Sequence, residues 1–225
     1  RETYHFGYAA GGGPLFSPDA TKFLGNSDAV RTALQFLQDL AHVHRVMAPK
    51  SGNYSEFGTQ QTATMLWGSF MFGYMKAYPD LEWNIAEMPS FAGGRATNIW
   101  PETPYSIPVG CRHPEEAWRV LEFIASTEGQ TLAMELGWGI PPARRSVALS
   151  AFMNAYRGTN IPAMIRMIEE PLTEVLPEQV PGDIRTVYYN QVITPVVYSG
   201  TKSPAIALDE ATPVIQAMLD DWNRQ

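Results

Sequence analysis

Apolar residues recur every three or four positions between Ser27 and His44, which is the spacing of an amphipathic helix. The apolar stripe consists of Val30, Ala33, Leu34, Leu37, Leu40 and Ala41. Ser27 or Asp28 suits the N-cap of this helix, because a short polar side chain accepts a hydrogen bond from a free backbone amide. The pattern predicts one long helix near the start of the chain.

A different pattern follows between residues 62 and 95. Residues 62–67 and 81–88 are predicted to form strands, and residues 69–78 between them a helix. Pro89 ends the second of these strands, and a further predicted strand ends at Pro108. Alternation of strand, helix and strand is typical of a layered α/β architecture.

Helical patterns dominate from residue 115 onward. Pro114 favours a helix start there, because proline fits the first helical position. Thr127 and Gln130 predict a capping box for the next helix, which should stop at Gly137. Pro213 is expected to kink or restart the last helix, because proline lacks a backbone donor. The predicted helices span about residues 115–125, 128–136, 146–156, 162–170, 183–198 and 204–223.

Composition narrows the class of protein. With 45% hydrophobic and 17% charged residues, a chain of 225 residues is globular and can bury one sizeable core or two modest ones. The net charge of −7 argues against nucleic acid or an anionic membrane as the main partner. No apolar run approaches the roughly 20 residues of a spanning helix. Cys111 is the single cysteine, which excludes an internal disulfide.

Catalytic and metal-binding patterns are sparse. The sequence contains no Gly-x-Ser-x-Gly elbow, phosphate loop or dinucleotide fingerprint. His42 and His44 are two positions apart on a predicted helix and point to opposite sides, so they do not predict a metal site. We expect no catalytic residue, no metal and no cofactor.

Residues 106–142 carry a series of short motifs in a fixed order: a strand end, a turn, two helix starts and a final turn. They are Ile107, Gly110-Cys111-Arg112, His113-Pro114-Glu115-Glu116-Ala117-Trp118, Ser126-Thr127-Glu128-Gly129-Gln130 and the turn from Gly137 to Pro142. This order resembles the extracellular solute-binding proteins of sugar-importing ABC transporters, the maltose-binding-protein-like group. Neighbouring segments keep the family order, so the resemblance covers nearly the whole chain.

The resemblance implies an α/β fold of the type II periplasmic-binding-protein kind, with two lobes and a helix-rich C-terminal half. Residues 1–95 would form an α/β segment of the C-terminal lobe, and residues 96–150 the returning N-terminal-lobe segment, a strand and two helices. Residues 151–225 would be the closing helices of the C-terminal lobe. The opening half of the family fold has no counterpart, so we expect the chain to be a fragment.

Ligand-binding residues are carried over from the family by position. Sugars are bound by aromatic faces that stack on the ring and by planar polar groups that bond its hydroxyls. In the family a Gly-x-Trp segment at a strand end stacks on the sugar, and Phe70 takes that place here. In the family an aromatic pair also opens a late helix, and Tyr188 and Tyr189 take that place here. The family has a turn near the cleft where this chain has Trp100, Glu102 and Thr103. The candidate residues are Trp67, Gly68, Ser69, Phe70, Trp100, Glu102, Thr103, Tyr188 and Tyr189.

Structural alternatives remain open for these residues. Phe70 is equally consistent with a core anchor for the predicted helix over residues 69–78. Tyr188 and Tyr189 point about 100° apart on a helix, so at most one of them faces a cleft. The structural alternative for this pair is one buried and one surface tyrosine. Glu102 is also consistent with a solvated loop carboxylate.

The resemblance implies a binding protein rather than an enzyme. Its expected ligand is a sugar or related polyol held between two lobes, and its expected partners are the transmembrane subunits of an ABC permease. We expect a monomer at the periplasmic or extracellular face, free or lipid-anchored. The alternative is a carbohydrate-active hydrolase, for which Glu102 is the one reasonable carboxylate. A purely structural interaction module is a third interpretation.

Overall fold

The computed structural model describes residues 10, 12–47, 55–92, 105–169, 180 and 182–224. These parts of the chain are mainly helical. The helices are α1 (Asp28–Gln38), α2 (Ser55–Gly58), α3 (Met71–Met75), α4 (Pro114–Ala125), α5 (Thr127–Glu135), α6 (Arg145–Val147), α7 (Met153–Ala155), α8 (Ile161–Glu169), α9 (Gly182–Tyr188) and α10 (Pro204–Trp222). Three π-helical segments extend or join them, at Asp39–Val43, Ala148–Phe152 and Tyr189–Tyr198. The sequence predicted helices in all of these ranges except Ser55–Gly58, and it did not predict the changes of helix type.

The chain divides into two compact units, each assembled from separate stretches. The first unit contains Arg1–Gly52, Glu87–Pro101 and Met167–Gln225, and the second contains Asn53–Ala86 and Glu102–Arg166. The predicted lobe boundaries at residues 95 and 150 refer to a complete two-lobed fold, and they stay a prediction.

The core of the first unit is formed by α1, α9 with its π-helical continuation, and α10. Leu34, Val192, Leu208 and Ile215 are completely buried in it. The amide of Gln38 donates to the backbone carbonyls of residues 196 and 202 at 3.0 and 2.9 Å, which fixes α1 against the ends of two later segments. Long-range polar contacts thus set the positions of helices that the apolar core holds together.

A tight turn before α1 is organised by Asp19. Its carboxylate accepts hydrogen bonds from the hydroxyls of Ser17 and Thr21 at 2.5 and 2.9 Å. These donors, together with the Thr21 amide, lower the pKa of Asp19 to about 2, because they favour the charged form. The turn brings Phe16 and Phe23 side by side in an isolated antiparallel bridge.

The core of the second unit is small and aromatic. Phe152 is completely buried and Tyr156 is 7% exposed. Their rings lie 5.2 Å apart, and the ring of Phe72 lies 5.4 Å from that of Tyr156. The ring of Trp83 lies 5.4 Å from that of Phe72. The π-helical segment before α7 therefore carries the central residue of this unit.

Helix ends follow local sequence signals, with one correction. Ser27 caps α1, as predicted, by accepting from the amide of Val30. The predicted cap at Thr127 is wrong, because Ser126 has the extended backbone of an N-cap and accepts from the Gly129 amide at 2.9 Å. Gln130 does not close a capping box on that residue; it accepts instead from the backbone of Arg144.

Helix α5 ends at Glu135, and the turn that terminates it contains Gly137, as predicted. The φ of +86° at Gly137 is in the left-handed region, which glycine adopts at no steric cost. The amide of Gly137 bonds the carbonyl of Met134, and that of Trp138 bonds Ala133, each at 2.9 Å. This pair of bonds is a Schellman motif, and it turns the chain sharply after the helix.

The Ser126 cap predicts a mutational effect. We expect Ser126→Ala to lower the free energy of unfolding by about 1 kcal/mol, because the Gly129 amide loses its acceptor. Thr127→Ala is the control, since Thr127 is exposed at the first helical position. Urea denaturation followed by circular dichroism measures both, and a larger loss for the Thr127 variant would reinstate the cap predicted from sequence.

The predicted strands are not found. Residues 62–67, 81–88 and 105–108 lie outside helices but pair with no strand, and among the described residues the bridge of Phe16 with Phe23 is the one strand-type pairing. A strand exists only where a neighbour accepts and donates its backbone hydrogen bonds. The helix predicted over residues 69–78 is present in shortened form as α3.

Of the two outcomes expected at Pro213, a kink or a restart of the last helix, the restart does not occur. Helix α10 runs without interruption from Pro204 to Trp222. Its buried stripe continues on both sides of the proline, with Ala211 before it and Ile215 and Leu219 after it, all completely buried. Packing of that stripe outweighs the hydrogen bond that proline removes.

Candidate functional site

The segment from Trp67 to Phe70 forms a turn that leads directly into α3. The carbonyl of Gly68 accepts from the amide of Met71, and that of Ser69 from Phe72, each at 3.0 Å. Trp67 is 44% exposed and Phe70 is 40% exposed. Two large aromatic side chains therefore face solvent at the start of a helix of the second unit.

Gly68 determines where the Phe70 ring lies. A β-carbon on Gly68 would meet Cε1 of Phe70 at 2.4 Å and Cδ1 at 2.7 Å. The ring thus folds back over the glycine backbone, in space that any other residue would fill. Gly68 positions Phe70 rather than offering a functional group of its own.

A second pair of glycines holds the turn after α5 against α3. A β-carbon on Gly139 would lie 2.2 Å from the amide nitrogen of Gly73 and 3.1 Å from the carbonyl oxygen of Phe70. This close backbone approach places Trp138, which is 49% exposed, in the turn that borders the Trp67 to Phe70 segment. Sequence reasoning missed Trp138, although glycines on both sides of a tryptophan are a signal of close backbone packing.

The two adjacent tyrosines have different environments in the first unit. Tyr188 is 8% exposed and packs edge-on against Phe23, with ring centroids 5.9 Å apart. Tyr189 is 48% exposed and stacks edge to face with Tyr198 at 5.6 Å. Because Tyr188 is core, Tyr189 is the member of the pair whose ring a solute can reach.

The remaining candidates, Trp100, Glu102 and Thr103, lie outside the described residues. Their roles stay predictions.

Other features of the described ranges offer less chemistry. No group of three or more His, Cys, Asp or Glu side chains is placed there to hold a metal ion. No helix in the parts that the structure covers combines the length and apolar character needed to cross a membrane. An open groove of about 490 Å³ lies between α1 and the start of α10, and none of the candidate residues borders it. It is lined by Arg31, Thr32, Gln35, Phe36, Asp39, Ser203, Pro204 and Ala205.

Comparison with solved structures identifies the fold. An ABC substrate-binding protein from Listeria monocytogenes in complex with cycloalternan is 18% identical, with a TM-score of 0.78. A solute-binding protein from Thermotoga lettingae bound with alpha-D-tagatose is 20% identical, with a TM-score of 0.74. The maltose/maltodextrin-binding domain from Bdellovibrio bacteriovorus bound to maltotriose is 18% identical, with a TM-score of 0.75. The predicted fold class, helix-rich and like a periplasmic binding protein, is confirmed.

These matches include nearly all of this chain but only part of each solved structure. Each includes 97% of this chain but only 56%, 56% and 58% of the respective solved structures, so the chain spans a little over half of their length. No curated protein matches the chain. Residues 2–160 match the sequence profile described as bacterial extracellular solute-binding protein. Because this match includes most of the 225 residues, the chain belongs to the family of bacterial extracellular solute-binding proteins.

Proposed function

We propose that the chain is part of the substrate-binding component of an ABC importer, and that its solute is a sugar or a related polyol. The family match is the observation that carries this proposal. The solutes named with the three similar structures, cycloalternan, alpha-D-tagatose and maltotriose, are all carbohydrates, which supports the choice of class.

The exposed aromatic side chains fit that class of ligand. Trp67, Phe70 and Tyr189 are each 40–48% exposed, although large aromatic rings are usually more completely buried. A sugar ring offers a flat apolar C–H face that stacks on such side chains, while its hydroxyls need polar partners. The Ser69 hydroxyl, beside Phe70 in the chain, is one such partner.

Transport follows from closure of a two-lobed protein on its solute. A solute that contacts both lobes binds the closed arrangement more tightly than the open one, and so shifts the population toward it. The closed form then docks on the transmembrane subunits of the permease. We propose that the protein acts as a monomer outside the cytoplasmic membrane, free in the periplasm or held by a lipid anchor.

A catalytic role has less support. The family is one of solute-binding proteins. A glycoside hydrolase needs two carboxyl groups about 5–10 Å apart, one of them an acid with a raised pKa. Among the described carboxyl groups, Asp19 has a lowered pKa because hydrogen bonds favour its charged form, which is the opposite of what a catalytic acid needs. We therefore propose that the chain binds its solute without chemical change.

Thermal unfolding with a panel of solutes tests the proposal. The sample is the longest polypeptide in the reading frame that contains these residues, and the panel holds sugars, polyols and sugar phosphates, with amino acids and dipeptides as controls. A solute at a hundred times its dissociation constant stabilises the folded state by about 2.7 kcal/mol, so a clear rise in Tm is expected for one carbohydrate class. A rise with amino acids or dipeptides alone, or cleavage of a glycoside, would contradict the proposal.

A further inference from the structure

The side chain of Lys76, directly after α3, lies along the turn that carries Trp138. A β-carbon on Gly137 would meet Nζ of Lys76 at 2.1 Å, its Cε at 3.2 Å and its Cδ at 3.6 Å. The ammonium group therefore occupies space that a glycine leaves free. Because consecutive Cα atoms are about 3.8 Å apart, this places Nζ within about 8 Å of the Cα atom of Trp138. A cation is thus held beside an exposed tryptophan of the second unit.

No described residue provides an anionic partner for this cation. Lys76 is exposed, and neither a carboxylate nor another acceptor in the described ranges bonds its ammonium group. Lys202 of the first unit, by contrast, pairs with Glu210. An ammonium group has three hydrogen-bond donors. In the solute-free protein those of Lys76 are open to water and available to a ligand.

The end of α5 accounts for the position of Lys76 but gives it no partner. The last carbonyls of a helix carry the negative end of its dipole, which favours a cation nearby. The carbonyls of Ala133 and Met134 at that end accept from the amides of Trp138 and Gly137, and Lys76 does not bond them. The dipole therefore attracts the ammonium group without using its donors.

The turn after α5 connects Lys76 to the aromatic segment of the candidate site. Phe70 and Lys76 flank α3, so about 9 Å of helix axis separates them at 1.5 Å per residue. The turn bridges them, because Gly137 approaches Lys76 while Gly139 approaches the carbonyl of Phe70. Trp138 lies between these two glycines. This arrangement suits a sugar ring at the aromatic side chains with one charged substituent at Lys76.

We propose that the solute is a sugar that carries a negatively charged group, a carboxylate or a phosphate, and that Lys76 binds this group beside Trp138. The inference rests on the proposed function, since it narrows the ligand class of the same site. Lysine acts as a compact point charge toward either anion, while aromatic faces bind the C–H side of the ring. The net charge of −7 disfavours the approach of an anion, so its binding requires a local cation.

Thermal unfolding with matched probes tests the ligand class. The sample is again the longest polypeptide of the reading frame. Glucose, galactose and mannose are each compared with their uronic acid and their 6-phosphate, and acetate and inorganic phosphate are the controls for the anion alone. We expect a larger rise in Tm with an acidic sugar than with its neutral counterpart, and the comparison of uronic acid with phosphate identifies the anion.

The outcomes separate this inference from the proposed function. An equal or larger rise with the neutral sugar would overturn the inference and leave the proposed function standing. An equal rise with acetate or inorganic phosphate would also overturn it, because the sugar would then contribute nothing. No rise with any carbohydrate would contradict the proposed function itself, and the inference with it.

Variants assign the anion to Lys76. Lys76→Met keeps most of the apolar stem, and in this longer polypeptide we expect it to weaken binding of the acidic sugar about ten- to hundredfold, because a hydrogen bond to a charged group is lost. Lys76→Arg should retain most of the affinity. Lys22→Met is the control, since Lys22 is an exposed lysine of the first unit.

Salt provides a readout that a structural role would not change. Raising the ionic strength should weaken binding to the unaltered protein more than to Lys76→Met, because salt screens the attraction between charges. Unchanged affinity in Lys76→Met, with or without a lower Tm of the solute-free protein, would assign Lys76 to the end of α5 and overturn the proposal.

Discussion

Phe152→Ala is expected to lower the free energy of unfolding of the second unit by about 3–5 kcal/mol. Phe152 is completely buried, and its ring packs on those of Tyr156 and Phe72 at 5.2 and 6.3 Å. Alanine would remove these contacts and leave a cavity that surrounding rings fill only in part. Because a domain is stable by about 5–15 kcal/mol in total, this one change should remove a large part of the unit's stability.

The contrasting variant in the same cluster is Tyr156→Phe. The Tyr156 hydroxyl is buried, and no described residue forms a hydrogen bond with it. Burial also raises the pKa of this tyrosine, because it disfavours the charged form. Removing a buried hydroxyl without a partner removes its desolvation cost, so we expect a neutral effect or a gain of about 1 kcal/mol.

Urea unfolding followed by tryptophan fluorescence measures both variants, since Trp83 contacts Phe72 in the same cluster. The expected result is a much lower midpoint for Phe152→Ala and an equal or higher one for Tyr156→Phe, at unchanged slope. A loss above about 1 kcal/mol for Tyr156→Phe would show that its hydroxyl has a partner in the folded protein.

Local signals account for the part of the fold that the sequence predicted. The stripe beginning at Val30 predicted α1, and Gly137 predicted the end of α5, because both depend on residues within one or two turns. Ser126 shows the limit of such signals, since Thr127 beside it has the same capping chemistry. The choice between them is made by backbone geometry, with Ser126 extended at φ −73° and ψ 163°.

Strands and the candidate site depend on contacts distant in sequence. Residues 62–67 have strand-like composition, but pairing requires a partner that periodicity does not identify. The approach of Gly139 to Gly73 joins segments more than sixty positions apart, so the place of Trp138 next to the aromatic segment was not predictable. The sequence did predict that at most one of Tyr188 and Tyr189 is accessible. Tyr188 packs against Phe23, so the accessible member is Tyr189.

Phe70→Ala is expected to weaken solute binding in the longer polypeptide by about ten- to hundredfold. Covering an exposed aromatic face with the apolar side of a sugar contributes about 1.5–3 kcal/mol, which alanine would forfeit. Isothermal titration calorimetry with the solute found by thermal unfolding measures the change. Tyr105→Ala is the control, because Tyr105 is 55% exposed in the same unit but is not a candidate residue.

The same variants distinguish a stacking role for Phe70 from a role as a core anchor of α3. A stacking residue loses affinity on truncation while the Tm of the solute-free protein stays nearly constant, whereas a core anchor loses Tm. Gly68→Ala sharpens the comparison, because its β-carbon would meet the Phe70 ring at 2.4 Å and displace it without altering residue 70. We expect this variant to reduce affinity at little cost in stability, since a partly exposed ring can move aside. Unchanged affinity in both variants would assign the aromatic segment to the structure of the second unit and leave Tyr189 as the accessible aromatic group for the solute.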